Sequence, residues 1–98
     1  MKNNRRITCK NGVSFSVQAN QFAYCSPREN YADRYSTCEV GFIEGGGIPS
    51  YLEEFRDGSG DVFGYVPVEI VEQFIAECGG IDLSVMLGMG GFSKNINY

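Results

Sequence analysis

The chain has 98 residues, with 13 Gly, three Pro, no Trp and no His, and a formal net charge of −4. At 43% hydrophobic and 13% aromatic it is too apolar for a disordered tail, and no stretch approaches the ~20 apolar residues of a spanning helix. The missing His removes the commonest general base and metal ligand, and with them every Ser-His and Cys-His catalytic arrangement.

In chain order, Met1-Lys2-Asn3-Asn4-Arg5-Arg6 is basic but has no apolar run behind it, so it does not read as a signal peptide and the expected compartment is the cytoplasm. Residues 7–9 and 13–17 alternate apolar and polar around Lys10-Asn11-Gly12. A two-residue loop would split their apolar residues between opposite faces. A three-residue loop with Gly12 in the left-handed conformation pairs Cys9 with Val13 and Ile7 with Phe15, and so unites them. A further strand is expected over residues 22–25 and a loop over 27–33. The longest strand is expected over 35–43, with Cys38, Val40 and Phe42 sharing one face.

Gly45-Gly46-Gly47 breaks that pattern, and residues 49–55 read as a short helix with Pro49 in its first turn. A loop at 57–60 leads to a strand over 62–66. Pro67 then opens the main helix, 67–78, and Gly79-Gly80 stops it. On a helical wheel Val68, Ile70, Val71, Phe74, Ile75 and Cys78 fill an arc of about 160°, with Glu69, Glu72, Gln73, Ala76 and Glu77 opposite. The expected fold is α+β: an antiparallel sheet of four or five strands, the main helix packed on it, and the short helix beside them. Residues 1–98 read as one domain, with 88–98 as a flexible tail.

The four cysteines, Cys9, Cys25, Cys38 and Cys78, stand singly with no C-x-x-C pair. They read as buried thiols acting as small hydrophobes, rather than as a disulfide framework or a zinc site. No metal or cofactor is expected. Gly58-Ser59-Gly60-Asp61-Val62-Phe63-Gly64 has one residue too many for a dinucleotide fingerprint and leads into a strand, and no Lys-Ser or Lys-Thr follows Gly45-Gly46-Gly47. Glu53-Glu54 and Asp57 with Asp61 lie on elements expected to be solvated, away from the apolar pocket that acid/base catalysis needs. The expectation is a protein that is not an enzyme.

Charge is distributed unevenly. Residues 1–38 carry six cations against two anions, whereas residues 39–93 carry ten carboxylates against Arg56 alone. The polar face of the main helix has no Lys or Arg, and Glu77 sits in its last turn, where the helix dipole favours a cation. Such a face either keeps the protein soluble and monomeric or docks on a basic partner, because carboxylates substitute for phosphates before Arg and Lys clusters. The candidate contact residues are Glu53, Glu54, Asp57, Asp61, Glu69, Glu72 and Glu77. A second candidate contact is Met86, Leu87, Met89 and Phe92, where adaptable Met side chains stand among glycines.

Tyr24, Tyr31 and Tyr35 near Arg28 and Arg34 form a base-stacking pattern, but the acidic half opposes direct nucleic-acid binding. In size, acidity, lack of catalytic residues and α+β build, the chain resembles the small phage and mobile-element inhibitors of host defence, the anti-CRISPR proteins among them. Gly64-Tyr65-Val66-Pro67-Val68-Glu69 and Cys78-Gly79-Gly80-Ile81 resemble segments of small phage proteins. The resemblance is one of profile and carries over no functional residues. It implies a monomeric or homodimeric cytoplasmic inhibitor that docks on a basic protein partner. The alternative expectation is a small assembly protein using its C-terminal Met/Gly-rich segment.

Overall fold

The alternating N-terminal pattern folds into the first hairpin. In the computed structural model, which describes residues 3–84, β1 (Asn3–Thr8) pairs antiparallel with β2 (Ser14–Ala19), and Ile7 lies opposite Phe15. Cys9 N donates to Val13 O at 2.8 Å, and Gly12 has φ +93°. This is the register that places the apolar side chains on one face, and a left-handed glycine closes it.

β3 (Thr37–Glu44) pairs with β2, and β4 (Val62–Pro67) pairs with β3, giving a four-stranded antiparallel meander. Between β3 and β4 lies α1 (Ser50–Glu53), with Pro49 at its N-cap rather than inside its first turn. α2 (Val68–Glu77) follows β4 directly, starting after Pro67 and capped by Cys78. The fold is α+β, with one main helix and one short one.

Ile7, Phe15, Val17, Cys38, Val40, Phe63 and Val66 form the sheet side of the core. Val71, Phe74 and Ile75 of α2 and Leu52 of α1 complete it, and the Phe15 and Phe74 rings lie 5.0 Å apart. On the sheet's polar side Arg6 donates to Ser14 Oγ and Glu44 Oε1, both at 3.0 Å. No described helix is long and apolar enough to cross a membrane.

Two expectations are corrected. Residues 22–25 are not a strand. The Asn20 side chain, itself buried, accepts from Phe22 N at 2.7 Å and Ala23 N at 2.9 Å, so a local turn takes the backbone donors that a ladder would need. Phe42 does not share the face of Cys38 and Val40: it is 53% exposed. The pairing of Ser14 with Glu44 and Ser16 with Gly41 leaves one extra β3 residue at Phe42–Ile43. That bulge turns Phe42 outward.

Candidate docking surface

The carboxylates of α2 face a cleft. Glu69 and Glu72 are three residues apart and so share a helix face. The opposite wall is the segment 33–36, tethered to the helix by Val68 N donating to Ser36 O at 3.1 Å. The cleft between them holds about 480 Å³, lined by Asp33, Arg34, Ser36, Glu69 and Glu72 over Tyr35 and Val68. Tyr35 is fully buried, and its phenol donates to Glu29 O at 2.6 Å while accepting from Ala32 N at 3.3 Å. Burial therefore makes Tyr35 the anchor of the loop and removes it from the base-stacking pattern.

Glu77 has a structural partner. Its Oε1 accepts from the Tyr51 phenol at 2.6 Å and its Oε2 from Gln73 Nε2 at 3.2 Å. Tyr51 lies on α1, so the carboxylate that the helix dipole disfavours clamps one helix to the other. The Tyr51 phenol, with help from Gln73, holds the Glu77 carboxyl below its usual value. Burial, followed by the adjacent Glu77, pushes the Tyr51 phenol up.

The carboxylates around α1 surround one cation. Arg56 grips Glu53 with two bonds, Nε to Oε1 at 2.7 Å and Nη2 to Oε2 at 3.0 Å. Its Nη1 donates to Gly60 O at 2.6 Å, and its guanidinium lies 4.9 Å from the Phe63 ring centre. The Glu53 carboxylate is first in raising the Arg56 pKa, with Asp61 contributing. This part of the acidic surface is thus partly neutralised. Glu54, Asp57, Glu69 and Glu72 are exposed, and no ion pair reaches them among the described residues.

One surface feature escaped the sequence reading. Between Cys38–Val66 and Val40–Phe63 the ladder carries an extra β4 residue at Gly64–Tyr65, a second bulge. Phe42 and Tyr65, one in each bulge, both have φ +53° and are 53% and 45% exposed. Tyr65 stacks on Tyr24 with ring centres 6.0 Å apart, and Arg28 lies 5.7 Å from the Tyr24 ring centre. The signal was present in Gly41-Phe42 and Gly64-Tyr65, since a glycine inside a strand marks a bulge or a close approach. A Cβ on Gly64 would sit 3.0 Å from the Tyr24 Cβ.

The cysteines offer no exposed nucleophile. All four thiols are buried, and desolvation pushes Cys9 up to about 11 and Cys38 up to about 12. Among the described residues no three Cys, Asp or Glu side chains gather to hold a metal ion. Met86, Leu87, Met89 and Phe92 lie outside the described residues, as does the expected tail 88–98. What the described surface offers is fixed negative charge along a solvated cleft, which attracts cations and basic side chains. Comparison with family models, curated proteins and solved structures returns no match.

Proposed function

We propose that this chain is a non-enzymatic interaction module that docks its acidic side on a basic, nucleic-acid-binding surface of a host complex, as anti-CRISPR-like inhibitors do. The cleft carries the reading. Asp33, Glu69 and Glu72 stand around it, and the helix face supplies no Lys or Arg to neutralise them. A basic side chain entering between α2 and segment 33–36 meets carboxylates from both walls, while Arg34 limits which geometries fit. Such a partner places the protein in the host cytoplasm.

The test is capture followed by displacement. At about 50 mM salt, where exposed charges act over more than 10 Å, the immobilised chain should recover a basic complex from host lysate and release nucleic acid from it. Glu69→Lys combined with Glu72→Lys should weaken capture at least ~10-fold, the equivalent of about 1.4 kcal/mol. Capture that ignores this double reversal, or leaves the bound nucleic acid in place, overturns the proposal.

A further inference from the structure

The four cysteines are scattered in sequence but brought near one another two by two in the fold. Ser26 pairs with Thr37 in an antiparallel bridge, Ser26 N donating to Thr37 O at 3.4 Å. Cys25 and Cys38 each adjoin that bridge, both are 1% exposed, and Cys25 is near enough to help raise the Cys38 thiol. Residues beside a bridged pair are near neighbours, and a disulfide spans Cα separations of about 4.4–6.8 Å. The Cys25 sulfur lies 3.3 Å from the carbonyl oxygens of Asn20 and Pro27, so its proton is given to the backbone.

Cys9 follows β1 and Cys78 caps α2. The turn after Cys9 is bonded to that helix end, Lys10 N to Gly80 O at 2.9 Å and Asn11 N to Cys78 O at 3.1 Å. Both cysteines are buried, and Cys78 is near enough to help raise the Cys9 thiol. Among the described residues neither pair has a third ligand to make it a metal site.

We infer that the chain carries two latent disulfides, Cys9–Cys78 and Cys25–Cys38, which close when it folds in the presence of a disulfide oxidant such as glutathione disulfide. In each pair one thiolate attacks the oxidant, releasing one glutathione thiol and leaving a mixed disulfide. The second thiolate attacks that sulfur and releases the other glutathione. Two protein thiols lose two electrons and two protons, and one glutathione disulfide becomes two thiols. The raised pKa values of Cys9, Cys25 and Cys38 keep those buried thiols protonated at neutral pH, so closure accompanies folding or local opening.

Both bonds brace the walls of the acidic cleft. Cys25–Cys38 would fasten the loop that presents Asp33 and Arg34, and Cys9–Cys78 would fasten the end of α2 beyond Glu72 and Glu77. The inference stands independently of the docking proposal, because it rests on the core alone.

The full chain is unfolded and refolded in glutathione disulfide, then compared with the chain kept reduced. The expected product is a monomer about 4 Da lighter, about 2 Da for each bond. Peptide mapping without reduction should show 9–78 and 25–38, one of the three pairings that four cysteines allow. The oxidised chain should melt roughly 10 °C higher than the reduced one. Cys25→Ala should lose only about 2 Da, closing 9–78 and leaving Cys38 as a titratable thiol. Four free thiols after oxidative refolding, either alternative pairing, or disulfide-linked dimers would overturn the inference.

Discussion

At the residue scale, two side chains break local rules and the structure shows what each one does. Glu77 stands at the wrong end of a helix for its charge, yet it accepts the Tyr51 phenol and so fixes α1 against α2. Its carboxyl is held below the usual value near 4.5. A carboxyl with a depressed folded pKa adds stability above its unfolded pKa, and that contribution disappears as pH falls through the folded value. Between about pH 5 and pH 3 the wild type should therefore lose more stability than Glu77→Gln, measured as urea midpoints across that range. Equal losses would show that the clamp has no energetic weight. Phe42 breaks the other rule: a bulky residue at φ +53° costs roughly 1–2 kcal/mol against a residue at ease there. Because Phe42 is more than half exposed, little packing offsets that strain. Phe42→Asn should raise unfolding stability by about 0.5–1 kcal/mol, since Asn tolerates the left-handed region. If the variant is instead destabilised, Phe42 contributes packing that outweighs its backbone strain.

At the element scale, α1 has four residues and no side-chain cap, so propensity cannot hold it. Leu52 does, buried completely within the same core as Val71 and Phe74. Leu52→Ala should cost about 3 kcal/mol in chemical denaturation, and a loss under about 1 kcal/mol would mean that α1 is held elsewhere. The outer edge of β4 is occupied as well. Asp57 N donates to Val62 O at 2.8 Å, Gly64 N to Phe55 O at 3.0 Å and Tyr65 N to Tyr24 O at 2.9 Å. These bonds cover an edge that would otherwise recruit another strand. The hairpin register and α2 were legible because each pattern had one arrangement that gathers its apolar residues. Residues 22–25 were not, because strand and Asx-turn readings differ only in where the Asn20 side chain points. The two bulges were half legible: a mid-strand glycine announces irregularity, but which aromatic turns outward depends on the neighbouring strand's register.

At the scale of the whole molecule, the acidic half is not uniform. Arg56 quiets the group around α1, while Glu69 and Glu72 face a cleft whose other wall comes from the basic half of the chain. If docking runs through that cleft, its affinity should fall steeply with salt, because exposed charges are screened within about 10 Å at 0.1 M. In the same series Glu53→Gln should weaken capture less than either Glu69→Lys or Glu72→Lys, since Glu53 already has its cation.

Composition, periodicity and charge order were enough to determine the α+β class, the first hairpin, the main helix and the excess of carboxylates after residue 38. Those properties follow from side-chain chemistry repeated at the period of a helix or a strand, which a linear string displays. Only the tertiary structure decided which carboxylates stay without a cation, which tyrosine is an anchor, and which of the four single cysteines lie near one another. Each of these depends on segments far apart in the chain meeting through a register or a turn. A shift of one residue in the ladder changes which side chains face each other.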